Sequence, residues 1–159
     1  MMTSTWLADS EQTDRLGRWL AETRPSRAVV HLQGDLGAGK STLARALLRA
    51  LGVAGAIRSP TYTLVERYPL ATGGEAWHMD LYRIGDPGEL EFLGLDADEA
   101  VLWLVEWPER GAGGMPIVDL RIELAMEGVG RQAVLKGLTE TGRAWLEQLT
   151  SKGAFAAHS

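Results

Sequence analysis

A glycine-rich stretch in the first third of the chain limits what the sequence can fold into. Residues 34–41 read Gly-Asp-Leu-Gly-Ala-Gly-Lys-Ser, which fits the phosphate-binding pattern of two glycines with four residues between them, then lysine and a hydroxyl residue. An apolar run at 28–32 precedes it, as a buried strand would, and apolar residues spaced along one helix face follow Lys40. A strand, a glycine loop and a helix in this order predict a nucleotide-binding loop rather than a plain connecting turn.

Each part of this stretch, here called the phosphate loop, has a chemical role at a nucleotide. Glycines let backbone N–H groups approach phosphate oxygens closely, and the start of the following helix adds partial positive charge. Lys40 is expected to reach the terminal phosphates, and the Ser41 hydroxyl is expected to hold a magnesium ion. The residues predicted to bind the nucleotide here are Gly34, Asp35, Leu36, Gly37, Ala38, Gly39, Lys40, Ser41 and Thr42.

Composition narrows the class of protein. With 159 residues and 45% hydrophobic content, the chain is long enough for one domain with a core of its own. A net charge of -5 argues against a broad nucleic-acid surface, so any nucleic acid would be reached through a partner. The absence of cysteine excludes disulfides and thiolate metal sites. No apolar run approaches the roughly 20 residues of a membrane span, and a cytoplasmic protein without membrane contact is expected.

The rest of the pattern predicts an α/β protein. Helical spacing covers 11–23, the segment from Lys40 to about 52, a short piece at 86–94, and 139–149. Strand patterns cover 28–32, 64–68, 76–83, 101–105, 117–126 and 131–136, and the second and third should be antiparallel about a turn at 72–74. We expect a P-loop NTPase-like mixed β-sheet flanked by helices, with the phosphate loop after the first strand. Residues 1–150 are the single predicted domain, and 151–159 are a predicted flexible tail.

Two acidic residues are candidates for the magnesium shell. Glu106 ends the continuous apolar run 101–105, and ligands in open α/β sheets gather beyond the carboxyl ends of the strands. From the pattern alone, Glu106 is more typical of a magnesium-shell acid than Asp80 is, and the alternative for each is an ordinary carboxylate. His78 would share a strand face with Asp80, either as a positioning residue or as a plain surface residue.

The segment Ser59-Pro60-Thr61-Tyr62-Thr63 is a candidate switch. It carries three aliphatic hydroxyl groups, on Ser59, Thr61 and Thr63, along an irregular stretch, which suits a loop that senses a terminal phosphate or magnesium. The alternative is a proline turn that leads into the next strand. Thr61 and Thr63 are therefore included among the predicted nucleotide contacts.

Four motifs together resemble the TsaE family, formerly YjeE, of bacterial P-loop ATPases. They are residues 34–40, Ser-Pro-Thr-Tyr-Thr at 59–63, His-Met-Asp-Leu-Tyr-Arg at 78–83 and Glu-Trp-Pro-Glu-Arg at 106–110. The likeness covers approximately residues 9–136, which is most of the chain. The resemblance implies an ATPase that is weak alone and that supports threonylcarbamoylation of the adenosine next to the anticodon of tRNA. It also implies TsaD and TsaB as partners, with tRNA reached only through their complex, which ATP hydrolysis resets between rounds.

The resemblance also implies roles for single residues. It makes the phosphate loop the ATP site and assigns magnesium to Ser41, Glu106 and Asp80, with Asp80 as the Walker-B-like acid. Lys40, Asp80 and Glu106 then form the catalytic set, and 59–63 is the switch. By its position Arg131 is expected near the nucleotide, and the alternative for it is a hairpin salt bridge. Trp107 follows the acid in the family too, although a tryptophan at a strand end is more often a core or interface residue.

Two other functions use the same loop. A small-molecule kinase would need an arginine-bearing lid and an acceptor pocket, and no arginine-rich lid segment follows the core. A regulatory module would bind the nucleotide without hydrolysing it. Because residues that read the base leave no pattern here, the sequence leaves the choice between ATP and GTP open.

Overall fold

Seven strands form one mixed sheet in the computed structural model, which describes residues 1–85, 99–111 and 115–153. The strands are β1 (Met2–Leu7), β2 (Ala28–Gln33), β3 (Val65–Pro69), β4 (Glu75–Asp80), β5 (Ala100–Glu106), β6 (Leu120–Glu127) and β7 (Gly130–Gly137). The helices are α1 (Ser10–Thr23), α2 (Lys40–Ala50) and α3 (Glu140–Ser151). None of the helices in these residues is long and apolar enough to cross a membrane.

The order of the strands across the sheet is β1-β7-β6-β2-β5-β4-β3. The strand β2 lies parallel to both β5 and β6, and β4 lies parallel to β5, whereas β3 with β4 and β6 with β7 form antiparallel hairpins. The predicted mixed sheet flanked by helices is therefore confirmed, as is the antiparallel pairing about the turn at 72–74.

The helices α1 and α2 pack against each other on one face of the sheet. Their close approach occurs at Gly17, where an added Cβ would lie 2.7 Å from the Cβ of Ala46. Asp9 caps α1 by accepting a hydrogen bond of 3.0 Å from the backbone N–H of Gln12. Leucines from both helices, among them Leu16 and Leu47, are buried in the core with the inner face of the central strands. This packing fixes the start of α2 above the sheet.

The parallel strands bring three chain segments to one edge of the sheet. Because β2, β4 and β5 run in the same direction, their carboxyl ends meet there. Glu106, the last residue of β5, is in register with Leu32 of β2 on one side and with Asp80 of β4 on the other. The phosphate loop leaves β2 at the same edge, so the fold gathers the predicted site residues at a single place.

Two parts of the sequence prediction for the fold were wrong. The strand β1 was not predicted, because the polar residues Thr3 to Thr5 interrupt any apolar run, and the strand is held by its antiparallel pairing with β7. The phosphate loop thus follows the second strand rather than the first. The strand predicted at 117–126 begins only at Leu120, and two of its residues, Ile117 and Met126, are 81% and 64% exposed.

Some predictions about the fold lie outside the described residues. The helix predicted at 86–94 is among them. The helix α3 extends to Ser151, and residues 154–159 are not described. The domain bounds 1–150 and the flexible tail 151–159 therefore stay predictions.

Candidate functional site

The phosphate loop needs its first glycine for two reasons. Gly34 has a φ of 149°, a value that residues with a side chain rarely adopt. An added Cβ there would overlap the backbone carbonyl oxygen of Leu124 on β6. Gly39, with a φ of 102°, then starts α2 in the left-handed region. The loop is thus packed tightly against the sheet while its backbone stays open to a ligand.

Lys40 is folded back onto its own loop. Its side chain is buried, and its ammonium donates hydrogen bonds to the backbone carbonyls of Gly34 and Asp35. The same nitrogen lies 4.1 Å from the centre of the Trp107 ring, which is a cation–π contact. Burial lowers the pKa of Lys40, and the nearby carboxylates oppose that change, Glu106 most strongly. The Trp107 ring and the loop carbonyls thus hold the lysine beside the place expected for phosphate.

Glu106, at the carboxyl end of β5, is hydrogen-bonded to the phosphate loop. The Ser41 hydroxyl donates to Glu106 Oε2 at 3.0 Å, and Nε2 of His78 donates to the same oxygen at 2.6 Å. Both His78 and Glu106 are almost fully buried, at 2% and 3% exposure. The interpretation of His78 as a plain surface residue is therefore wrong, because it contacts the candidate acid directly. Its other ring nitrogen, Nδ1, is buried and has no hydrogen-bond partner among the residues that the structure describes.

Asp80 lies beside Glu106 at the end of the neighbouring strand. Its Oδ1 accepts a hydrogen bond of 3.0 Å from the backbone N–H of Tyr82, and the residue is 8% exposed. Burial raises the pKa of the Asp80 carboxyl, and the charge of Glu106 raises it further. A buried carboxylate with a raised pKa at a strand end is a candidate for a group that orients water or accepts a proton.

These residues offer the kind of ligands that magnesium prefers. The Ser41 hydroxyl and the carboxylates of Asp80 and Glu106 are oxygen donors, and magnesium binds oxygen ligands while keeping several waters. Among the described residues, no group of three or more acidic, histidine or cysteine side chains could hold a metal alone. The donor set therefore fits a magnesium ion that is completed by phosphate oxygens and water.

The side chain of Arg131, a residue of β7, contacts the phosphate loop. Its guanidinium donates to the backbone carbonyls of Ala38 at 3.1 Å and of Gly37 at 3.2 Å. The alternative of a hairpin salt bridge is not found, since Arg131 forms no ion pair with any residue the structure describes. Arg131 therefore supports the loop backbone, and a direct contact with the nucleotide stays a prediction.

The structure has a pocket beside the phosphate loop that the sequence did not predict. It has a volume of about 190 Å³ and is lined by Gly39 and Thr42 together with Leu7, Asp9, Thr13, Val129 and Arg131, among others. The walls come from the end of β1, the start of α1 and the turn before β7. No sequence signal pointed to it, because only the pairing of β1 with β7 brings these segments together.

The threonine hydroxyls of the candidate switch form hydrogen bonds within or next to the segment. Thr61 shares a 2.7 Å hydrogen bond with the Ser59 hydroxyl, and the Thr63 hydroxyl donates to Glu66. Neither threonine hydroxyl is hydrogen-bonded to Asp80 or Glu106 in this structure. The residue after the segment, Leu64, reaches the site, because its carbonyl accepts a hydrogen bond of 3.0 Å from the N–H of Asp80. Direct contacts of Thr61 and Thr63 with a nucleotide therefore stay predictions.

Replacing Asp80 with asparagine should stabilise the fold at neutral pH. Since folding raises the pKa of Asp80, its ionised form destabilises the native state, fully above the raised pKa and less as the pH falls towards the ordinary carboxyl value. Asp80→Asn keeps an acceptor for the Tyr82 N–H and removes the buried charge. We expect its Tm at pH 8 to be higher by roughly 2 to 4 °C. Thermal unfolding at pH 8 and at pH 5 measures this.

The matched control for this change is Asp14→Asn, which removes the same charge from an exposed position on α1. It should change Tm by no more than about 1 °C, as surface substitutions usually do. A lower Tm for Asp80→Asn at pH 8 would show that its neighbours stabilise the charge more than burial opposes it.

Comparisons with known proteins agree with the motifs. The family model described as "Threonylcarbamoyl adenosine biosynthesis protein TsaE" matches residues 7–133. The chain is 44% identical over 136 residues to the tRNA threonylcarbamoyladenosine biosynthesis protein TsaE of Streptomyces coelicolor, covering 82% of this chain and 91% of that protein. It is 43% identical over 119 residues to the protein of the same name from Haemophilus influenzae, covering 72% and 73% of the two chains.

A solved structure shares the fold. The crystal structure of Bacillus subtilis YdiB matches this chain with a TM-score of 0.78 at 22% identity, covering 96% of this chain and 97% of the other. At this level of identity the likeness bears on the architecture, and it agrees with the seven-stranded sheet described above.

Proposed function

This chain belongs to the TsaE family, and we propose that it is a magnesium-dependent ATPase that acts in the threonylcarbamoyladenosine modification of tRNA. Membership of the family implies a P-loop nucleotide-binding protein in this biosynthesis. The curated relatives carry the name of the tRNA modification, and the phosphate loop supplies the nucleotide site. Hydrolysis and the need for magnesium are the parts of the proposal that go beyond the family.

The observation that carries the proposal is the hydrogen bond between Ser41 and Glu106. It joins the hydroxyl residue of the phosphate loop to an acid at the end of a buried parallel strand, at 3.0 Å. P-loop enzymes that hydrolyse nucleotides hold magnesium with these two kinds of group. A module that only binds a nucleotide would not need a buried carboxylate at this position, where burial of the charge is costly.

The proposed reaction uses few protein groups. A water molecule attacks the terminal phosphorus of ATP, the bond from that phosphorus to the bridging oxygen breaks, and ADP and phosphate leave. Lys40 turns from Gly34 and Trp107 to the terminal phosphates, and Asp80 orients the attacking water. Ser41 and Glu106 would hold magnesium, which supplies charge neutralisation at the phosphate oxygens when bound. The pocket of about 190 Å³ beside Gly39 and Thr42 is the proposed place for the base and sugar.

The proposed partners are the TsaD and TsaB proteins, and tRNA is reached only through their complex. The net charge of -5 supports this indirect contact, because direct binding of tRNA would favour a basic surface. A cytoplasmic location follows from the proposed RNA target and stays part of the proposal.

Phosphate release tests the proposed function. We expect slow release from ATP and magnesium by this protein alone, and a rise of roughly tenfold when the TsaB–TsaD pair of the same organism is added, which is an ordinary coupling between partners. Chelation of magnesium with EDTA should stop release in both cases. The measurement is a continuous assay of inorganic phosphate, at equal ATP concentration with and without the pair.

Three results would contradict the proposal. Release that does not respond to the TsaB–TsaD pair would argue for a different biological partner. Nucleotide binding without any release would indicate the regulatory module, and phosphate on a small acceptor instead of in solution would indicate the kinase.

A further inference from the structure

Another pocket lies between the start of the phosphate loop and the residues that follow Glu106. It has a volume of about 400 Å³, and its walls include Gln33, Asp35, Lys40, Trp107 and Glu109. We call it the Trp107 pocket. It opens between the start of the phosphate loop and the short 3-10 helix Pro108–Gly111 that follows β5. Gly34, Asp35 and Lys40 in its walls belong to the phosphate loop, whereas the side chains of Gln33 and Glu109 have no role in the proposed function.

The Trp107 pocket is rich in groups that bind a cation. Asp35 and Glu109 are exposed carboxylates, and neither forms an ion pair with a described residue. The Trp107 ring already accepts a cation, since the ammonium of Lys40 lies 4.1 Å from its centre. An aromatic face between two carboxylates suits a guanidinium group, which stacks on rings and forms paired hydrogen bonds with carboxylates.

The cation in this pocket is the one that ATP would remove. In the proposed function Lys40 leaves Trp107 and the Gly34 carbonyl to reach the terminal phosphates. Its departure leaves two carboxylates and an uncovered ring beside a highly charged nucleotide. The negative charge of Glu106 and Asp80, which also act on Lys40, adds to this imbalance.

Three arginines of the chain that could compete for the pocket already make contacts of their own. All 16 lysines and arginines fall within the described residues. Arg131 is bonded to loop carbonyls, Arg83 stacks on the Tyr62 ring at 4.7 Å, and Arg110 stacks on the Tyr82 ring at 5.2 Å. The side chain of Arg58 is exposed and precedes the switch, so it is the internal rival that a test must include.

We propose that the Trp107 pocket receives an arginine side chain of the partner complex when ATP draws Lys40 to its phosphates. This inference rests on the proposed function. The arginine would stack on Trp107, bond to Glu109 and Asp35, and bring positive charge next to the terminal phosphate, where such charge speeds phosphoryl transfer. It explains in physical terms why turnover would depend on a partner, and why the partner would prefer the ATP-bound form.

Charge reversal at Glu109 tests the pocket. Glu109→Lys should weaken binding of the TsaB–TsaD pair by roughly tenfold or more and remove its stimulation of phosphate release, because like charges meet in the pocket. Phosphate release without partners should stay within about threefold of the wild type, a change of less than 1 kcal/mol in the barrier. Biolayer interferometry with the immobilised pair measures binding, with and without a slowly hydrolysed ATP analogue.

The matched control is Glu147→Lys, which makes the same charge change at an exposed position on α3. It should bind the pair as the wild type does. Equal weakening by both variants would overturn the proposal in favour of a general charge effect. Stimulation of Glu109→Lys to the wild-type level would overturn it too.

Loss of stimulation in Arg58→Ala, with Glu109→Lys unaffected, would assign the cation to this chain instead. Stimulation by potassium alone that Glu109→Lys removes would identify a monovalent-ion site and overturn the partner arginine.

The result for the wild type separates this inference from the proposed function. If the TsaB–TsaD pair neither binds nor stimulates the wild type, the proposed function fails and the pocket proposal fails with it. If the pair stimulates the wild type and Glu109→Lys alike, only the pocket proposal fails. Equal affinity of the pair with and without the ATP analogue would overturn the displacement of Lys40 by nucleotide.

Discussion

Glu106→Gln should reduce phosphate release by about a hundredfold or more while leaving magnesium-free ATP binding nearly intact, since groups that stabilise charge in a transition state act mainly on turnover. A hundredfold loss corresponds to about 2.7 kcal/mol in the barrier. Glutamine keeps the size of the side chain and an oxygen that accepts from the Ser41 hydroxyl, but it loses the negative charge. The rate constant and the dissociation constant for ATP, each with magnesium and with EDTA, are the two measurements.

The sheet offers a matched control for this change. Glu75, at the opposite end of β4, is also a strand-end glutamate with partners, because it accepts from Arg67 and from the Trp77 ring nitrogen. Glu75→Gln should leave the rate within about threefold of the wild type, as expected for a residue outside the reacting groups. If Glu106→Gln also stays within that range, Glu106 is not part of the catalytic machinery. If magnesium-dependent and magnesium-free ATP affinity fall equally, its assignment to the metal is wrong.

Local sequence patterns predicted the elements whose own residues favour that structure. The run Ala28 to Leu32 and the run Val101 to Val105 are apolar without alternation, and both form strands buried on two faces of the sheet. The first strand could not be predicted in this way. In β1, Thr3 and Ser4 are polar and gain little from burial. The strand is ordered by its pairing with β7 along six residues. The residues of β7 that stabilise this strand are more than 120 positions away in the sequence. A pattern within the β1 segment therefore cannot reveal the pairing.

The candidate site also has features that a single segment encodes and features that depend on contacts between segments. The phosphate loop and the acid Glu106 were predictable, because each is encoded by one segment and by the rule that ligands gather at the carboxyl ends of strands. Contacts between segments were not predictable. The placement of Lys40 on the Trp107 ring depends on how the loop after β2 meets the end of β5, and the small pocket beside Thr42 depends on β1. The family resemblance raised Asp80 to a site residue; the structure places it in register with Glu106, and its role stays a prediction.

His78 shows what such a contact adds to the proposed mechanism. Its Nε2 donates to Oε2 of Glu106, and the Ser41 hydroxyl lies 3.0 Å from the same oxygen and 3.2 Å from Oε1; His78 and Glu106 are both buried. A carboxylate held by these two donors has little freedom to rotate, so its oxygens keep a constant direction. Residues that orient a metal ligand in this way typically contribute 10 to 100-fold, as an order of magnitude, to metal affinity or activity. His78 is therefore a positioning residue that acts through Glu106.

Two variants of His78 should separate positioning from simple support of the fold. The amide nitrogen of glutamine lies about where Nε2 of histidine lies, whereas that of asparagine lies nearer to Nδ1, so only His78→Gln can donate to Glu106. We expect His78→Asn to lower kcat by roughly 10 to 100-fold with KM for ATP changed by less than about threefold, and His78→Gln to retain most of the activity. Both replace a buried imidazole by an amide, so their Tm values should fall by similar amounts. Equal rates in the two variants, or rates that follow Tm, would show that His78 supports the fold and does not position Glu106.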